Sequence, residues 1–257
     1  MARLTANQFS QIPESAEWPV ATEEIMFDGN AVGQHVFLQP PEGERIHVGQ
    51  VSTDYALMPN VEAMGVARQA IENAGFTTHE EWGRVFNGRK FQTTIVVSEG
   101  FEPIPGDRLN VGFRMTNSYD GSTKLRLDAM LFRVLCSNGM ISHELFHGIS
   151  LFHRGNDLKQ YTEIASGLTA AYHAFEQVMP HIKEMSERRF NYNRFIPLFE
   201  NVSDQFTGKA VHVLHDTTPK NEWEAFNNVT QILNQPKTFG DINTLDIFTT
   251  NALKAVA

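Results

Sequence analysis

Apolar positions in the middle of the chain recur at every second residue, which is the period of a β-strand with one buried face. Three segments rich in β-branched or aromatic residues are predicted as strands: Lys90–Val97, Arg108–Asn117 and Ser122–Cys136. The last two are joined through Asp120-Gly121, a dipeptide that tolerates the positive φ of a tight hairpin turn. The pattern predicts an antiparallel meander of three strands, and Ile149–His153 is a candidate for one more.

Apolar residues at three- and four-residue spacing predict helices on both sides of the meander. The first helix is expected to begin at Asn60, acting as its N-cap. A longer helix is expected to begin at Asp157, and Pro180 to kink or split it near its end. Thr218-Pro219 is expected to open another helix. The predicted fold class is α+β, with the meander packed against a preceding helix and a long following helix, and with a helical C-terminal region.

The order of these elements suggests three parts of one continuous domain. Residues 1–50 are predicted to form an N-terminal arm or edge segment, because four prolines interrupt it and leave only a short strand at Gln34–Leu38. Residues 51–187 hold the predicted α+β core, and residues 188–257 the helical C-terminal region. Neither a repeat of about 20–50 residues nor a low-complexity tract occurs, which argues against a solenoid.

Composition narrows the class of protein. The chain has 257 residues, of which 41% are hydrophobic and 20% charged, enough for an ample core. Its net charge of −9 opposes binding to nucleic acid or anionic membranes unless positive charge is segregated on one surface. A single cysteine, Cys136, suits a reducing compartment. Without a signal peptide or an apolar run of about 18–20 residues, we expect a soluble cytoplasmic protein that does not engage the membrane.

One short motif has a known metal chemistry. The segment HELFH at 143–147 matches the H-E-x-x-H pattern, in which His143 and His147 bind zinc and Glu144 serves as general base. His153 has the spacing of a third ligand. However, the longer pattern requires glycine where this chain has Ser150, and the helix that carries the motif would be short. Zinc is therefore the alternative, and the main expectation is that the protein has no cofactor.

Positive charge concentrates around the predicted hairpin. Strand alternation directs Arg114, Lys124 and Arg126 to one face of the sheet. More basic residues lie at the start of the neighbouring strand and at the entrance of the long helix. The residues predicted to contact phosphates, or in the case of the tyrosine to stack on a base, are Arg89, Lys90, Arg114, Tyr119, Lys124, Arg126, Arg154 and Lys159. The simpler alternative is a solvated face of a sheet that buries only its other side.

Several separated motifs resemble one family. The run from Gly106-Asp107 through NSYDGS to RVLCSNGM, followed by HRGN at 153–156, resembles uncharacterised phage- and plasmid-borne proteins grouped under a domain-of-unknown-function label. The segments VSTDYALMPNVEA and WEAFNNVTQILN support this resemblance, which spans about Trp18 to Asn234. HELFH is not part of the family pattern. The order of helix, meander and long helix is also similar to the core of phage single-strand annealing recombinases.

The resemblance implies a mobile-element setting, and hence the cytoplasm of a host cell. Together with the basic face, it leads us to expect a single-stranded DNA-binding protein that promotes ATP-independent annealing or recombination. The expected assembly is a homo-oligomer in a ring or filament, with a phage exonuclease or a host protein as a further partner. One alternative is a zinc-dependent hydrolase built on His143, Glu144 and His147, and another is a non-enzymatic phage protein that binds a host protein. Of these, enzymatic activity is the less favoured interpretation.

Overall fold

The computed structural model describes residues 12–133, 138–141, 149–151, 153, 161–233 and 239–255. These residues form two antiparallel sheets and six α-helices, which confirms the predicted α+β class. Within the described residues, no helix is both long enough and apolar enough to cross a membrane.

The N-terminal part contains a three-stranded sheet in the order β1 (Val20–Phe27), β2 (Asn30–Leu38) and β3 (Ile46–Val51). Asp28 and Gly29 join the first two strands with φ values of 47° and 78°. This two-residue turn matches the right-handed twist of the strands it connects. The prediction of only one short strand in this region is wrong about the extent of the sheet.

The larger sheet has six strands: β4 (Thr78–Phe86), β5 (Lys90–Ile104), β6 (Asp107–Ser118), β7 (Leu125–Arg133), β8 (Asn138–Ile141) and β9 (Ile149–Leu151). Its path is β4-β5-β6-β7-β8, and β9 pairs with the other half of the β7 edge that β8 occupies. The predicted three-stranded meander is confirmed as β5, β6 and β7. Strand β4 was not predicted, although Asn87-Gly88 joins it to β5 with both residues at positive φ.

The helices follow the predicted order: α1 (Asn60–Asn73), α2 (Tyr161–Glu187), α3 (Tyr192–Phe195), α4 (Asp204–Thr217), α5 (Glu222–Thr230) and α6 (Phe239–Lys254). Two details differ from expectation. Asn60 does not cap α1, because its side chain instead accepts a hydrogen bond from Asn117. The α5 helix begins after Asn221, whose side chain accepts from the Glu224 N–H, and not at Thr218-Pro219.

The long helix α2 runs through Pro180 without being split. Asp157, its expected first cap, lies outside the described residues, as do residues 134–137 at the end of the third predicted strand.

One face of the larger sheet forms the main core against α1 and α2. Val111, Phe113 and Met115 point into it from β6 and are almost completely buried, as their alternation predicts. Phe175 of α2 belongs to the same core. Burying one such large side chain contributes about 1.5–3 kcal/mol relative to leaving it exposed. This apolar face therefore stabilises the packing of the sheet against the two helices.

Candidate functional site

The second face of the larger sheet carries two of the predicted basic residues, Arg114 and Arg126. The register of β6 and β7 places Arg114 opposite Asp128 and Thr116 opposite Arg126, so the two arginines share one face as predicted. However, this face is not solvated at its centre. Arg114, Thr116 and Asp128 are all buried, and Gln92 on β5 is buried beside them. The prediction that Arg114 lies on an exposed basic face is therefore wrong.

Ion pairs explain how Arg114 is accommodated. Its Nη2 donates to the Asp246 carboxylate of α6, and the same nitrogen lies 3.8 Å from Asp128 Oδ2. Arg126 Nη2 donates to Asp128 Oδ1 at 3.0 Å. Burial alone would lower the pKa of Arg114, but the two aspartates outweigh burial and raise it, so the guanidinium stays charged. The charges of two arginines and two aspartates compensate one another here, and the cluster links β6 and β7 to α6.

Tyr119 is also inside the protein. It is 2% exposed and packs with Val36, Leu38 and Val48 of the smaller sheet. Its hydroxyl accepts a hydrogen bond from the Asn60 backbone N–H at 2.9 Å, and burial raises its pKa to about 12. The expected position of this ring on an exposed basic face is wrong, because the smaller sheet covers it.

Three other predicted basic residues lie at one end of the larger sheet. The Tyr119 N–H donates to the Arg89 carbonyl at 2.7 Å, which joins the β4–β5 turn to the β6–β7 loop. Lys90 is paired with Ser118 in the register of β5 and β6. Arg89 and Lys124 are exposed, and Lys90 is half-buried. We call Arg89, Lys90 and Lys124 the basic end.

Two arginines extend the basic end along the same face. Arg84, Gln92, Thr116 and Arg126 form one row across β4 to β7. The Arg126 side chain is 30% exposed while it pairs with Asp128. Burial lowers the pKa of Arg84. Arg84 was missed in the sequence because β4 was missed, and the Asn87-Gly88 turn was the signal that would have revealed it.

A cavity of about 470 Å³ opens beside the basic end. The cavity lies between the end of β3, the segment that follows β3, and the loop from β6 to β7. Lys124 belongs both to the basic end and to the cavity wall. The cavity is lined by Gln50, Val51, Ser52, Tyr55, Asp120, Gly121, Ser122, Thr123, Lys124 and His153.

The β6–β7 loop has its own hydrogen bonds. Asp120 Oδ1 accepts from the Ser122 N–H at 3.0 Å, and Ser118 Oγ donates to the Thr123 carbonyl at 2.8 Å. The prediction of a tight turn at Asp120-Gly121 is wrong, because β6 ends at Ser118 and β7 begins only at Leu125, so the dipeptide lies in a wider loop in which Gly121 has a φ of 69°. This width creates the mouth of the cavity.

Gly49 allows β3 to approach this loop closely. A Cβ atom at this position would lie 2.8 Å from the Asp120 Cα, which is closer than real Cβ contacts. Only glycine fits here without a shift of backbone, so the contact between the smaller sheet and the loop depends on this residue.

Two stacked rings form another wall of the cavity. The Tyr55 and His153 rings lie 4.7 Å apart at 16°, and the Tyr55 hydroxyl donates to the Ser118 carbonyl at 2.6 Å. The His153 carbonyl accepts from the Ala56 N–H at 2.9 Å, and its Nδ1 lies 3.3 Å from the Ala56 carbonyl. Burial lowers the pKa of His153. The ring is therefore neutral, with Nδ1 donating to Ala56 and Nε2 left as an acceptor.

The structure does not bring a zinc site together in the part that it describes. Among these residues, no group of three or more His, Cys, Asp or Glu side chains could hold a metal ion. His153 is a wall residue of the cavity. His143, Glu144 and His147 lie outside the described residues, so the HELFH hypothesis stays a prediction. The same holds for Arg154 and Lys159.

Comparison with known proteins adds one finding. Neither a curated protein nor a solved structure matches this chain. A family model does match, over residues 47–249, and this range contains the basic end, every residue that lines the cavity, and α1 to α5 in full. The chain therefore belongs to the family described as Domain of unknown function (DUF932).

Proposed function

We propose that this protein binds single-stranded DNA and promotes ATP-independent annealing or recombination. The observation that carries the proposal is that Arg89, Lys90 and Lys124 lie at one end of the larger sheet, where Lys124 lines the 470 Å³ cavity, in a chain whose net charge is −9. An acidic protein repels a polyanion overall, so a local cluster of cations is the arrangement required for binding.

The cavity supports a single strand as the substrate. In a duplex the bases are stacked and paired, whereas a single strand can place an unstacked base in a pocket beside its backbone. The cavity wall offers amide, hydroxyl and carboxylate groups from Gln50, Ser122 and Asp120, and Lys124 stands next to them for a phosphate. The sequence contains no nucleotide-binding P-loop, which agrees with a reaction that does not use ATP.

The burial of Arg114 and Tyr119 limits the residues that we propose for this function. Arg89, Lys90 and Lys124 contact phosphates. Arg84 and Arg126 lie in the adjacent row of the same sheet face. Arg114 and Tyr119 have structural roles instead, because they are buried. The expected homo-oligomer, a ring or filament, remains part of the proposal, as does an exonuclease or host protein as an additional partner.

Fluorescence anisotropy with a labelled oligothymidylate tests the phosphate surface. Arg89→Gln and Lys124→Gln each remove one cation from an exposed site, so affinity should fall and the slope of log K against log salt should decrease by about 0.7 for each cation removed. Lys209→Gln, at an exposed lysine of α4, is the matched control and should leave binding unchanged. Equal affinity of wild type and the Arg89/Lys124 double variant would refute this surface.

The mass of the native particle tests the second part of the proposal. Annealing by an oligomer predicts a larger assembly in the presence of single-stranded DNA than in its absence. A particle that binds DNA without a change in its number of protein subunits would limit the function to binding. Strand-annealing assays with complementary oligonucleotides, without ATP, then distinguish a binding protein from an annealing protein.

A further inference from the structure

The smaller sheet carries a cluster of polar side chains on its exposed face. The register of β2 and β3 places His35 opposite Gln50 and Phe37 opposite His47. His35 Nδ1 lies 3.1 Å from His47 Nε2 and 3.3 Å from the Gln50 side-chain nitrogen. The side chains of His47 and Gln50, both from β3, therefore approach the same ring nitrogen of His35 on β2.

Hydrogen bonds alone cannot pair all three of these side chains well. A ring nitrogen of histidine offers either one hydrogen or one lone pair. His35 Nδ1 can therefore serve His47 or Gln50 well, but not both. The Gln50 amide can turn so that its oxygen takes the place of its nitrogen, since these two atoms are assigned from the hydrogen-bond network. Two imidazole nitrogens and one amide oxygen then converge.

The distance between the two nitrogens suits a shared metal ion. Ligand nitrogens about 2.0–2.1 Å from one ion are about 3.3 Å apart in tetrahedral geometry and about 2.9 Å apart when they are adjacent in a square plane. The distance of 3.1 Å between His35 and His47 falls between these values. Imidazole nitrogen is a preferred ligand of Zn²⁺, Cu²⁺ and Ni²⁺.

We propose that His35, His47 and Gln50 bind a divalent first-row transition-metal ion, with water completing the coordination. The charges around the site permit this. Arg45, the nearby cation, is paired with Glu23 and lies over the Phe37 ring at 4.7 Å from its centroid. Glu23 stands opposite His35 in the register of β1 and β2, so a carboxylate next to the site compensates the Arg45 charge. This site is separate from HELFH and goes beyond the proposed binding of DNA.

Isothermal titration of metal-free protein with Cu²⁺ and with Zn²⁺, in the absence of DNA, tests the site. Wild type should bind one equivalent that both His35→Gln and His47→Gln lose. His79→Gln is the matched control, since it removes another exposed strand histidine, whose ring pairs with Glu80, and it should keep the equivalent. Wild type that binds neither ion, or His35→Gln and His47→Gln variants that bind as many equivalents as wild type, would overturn the proposal.

Two further measurements locate the ion without depending on the histidine variants. Cu²⁺ bound here should broaden the amide NMR signals of β2 and β3 in wild type before those of other strands, and broadening elsewhere alone would overturn the assignment. Gln50→Glu replaces a neutral ligand with a carboxylate and should tighten binding. Unchanged affinity in this variant would remove Gln50 from the site and so refute its three-ligand form.

Discussion

The buried ion pair between Arg114 and Asp246 offers the sharpest test of the structure. Arg114→Met keeps an unbranched but shorter side chain and removes its charge, so the buried Asp128 and the partly exposed Asp246 lose a partner. The side chains of Asp128 and Asp246 are 1% and 21% exposed. Breaking a buried ion pair from one side costs about 3–5 kcal/mol. Because Asp128 keeps Arg126 and Asp246 retains some contact with water, we expect the lower end, about 3 kcal/mol.

Urea unfolding followed by circular dichroism measures this loss. In thermal unfolding the same change corresponds to a decrease in Tm of about 6–12 °C for a chain of this size. Arg45→Met is the matched control, because its ion pair with Glu23 is exposed and such pairs contribute about 1 kcal/mol or less. The folded Arg114→Met protein should bind single-stranded DNA like wild type, since the Arg114 side chain is 8% exposed.

Two outcomes would refute this reasoning. If Arg114→Met destabilised the protein no more than Arg45→Met, the buried ion pair would not hold α6 against the sheet. If Arg114→Met kept its stability but its DNA affinity fell to the same extent as that of Lys124→Gln, Arg114 would be a phosphate ligand, as its place in the sequence predicts, and the buried position would be wrong.

Two other predictions follow from the cavity and its surroundings. Gly49→Ala forces a Cβ against the Asp120 backbone and should destabilise the protein by about 1–3 kcal/mol. As the control, Gly65→Ala has open space around it in α1 and should stabilise the protein by up to about 1 kcal/mol. Equal urea midpoints for the two variants would contradict this prediction. Burial lowers the pKa of His153, so its contribution to stability is complete above its unfolded-state pKa of about 6.5 and is lost as the pH falls through its lower folded-state pKa. His153→Asn keeps an N–H for the Ala56 carbonyl but has no imidazole that titrates. The unfolding midpoint of this variant should therefore fall less than that of wild type between about pH 7 and pH 5. Parallel curves of unfolding midpoint against pH would show that His153 does not titrate in this way.

The meander and its flanking helices were predictable because their periodicity is strong. Strand β6 alternates between an apolar row from Leu109 to Met115 and a mostly polar row, and the main core takes the apolar row. Strand β4 (THEEWGRVF) was missed for the opposite reason. It is rich in polar and charged residues, and its buried Trp82 packs with Val96 and Met130 of other strands, so the segment shows no apolar alternation of its own. Its turn, Asn87-Gly88, was a better guide than its hydrophobicity.

The strands β1 to β3 show the same limit. Only Val36, Leu38 and Val48 are buried in their small apolar cluster, together with Tyr119 from the larger sheet. Such a sheet completes its core with a residue from elsewhere in the chain, so its own segment carries a weak periodic signal. The prediction of an N-terminal arm rested on the four prolines, and the weak signal left the additional strands unpredicted.

The sequence by itself determined the direction of each side chain relative to the sheet, because alternation along a strand is a local property. It therefore placed Arg114 and Arg126 on one face correctly. Only the tertiary structure decided which of these side chains meet water. Asp246 reaches Arg114 across 132 residues of sequence, and a backbone hydrogen bond brings Arg89 to the loop that carries Lys124. Burial depends on what packs over a face, and the packing partner here lies far away in the chain.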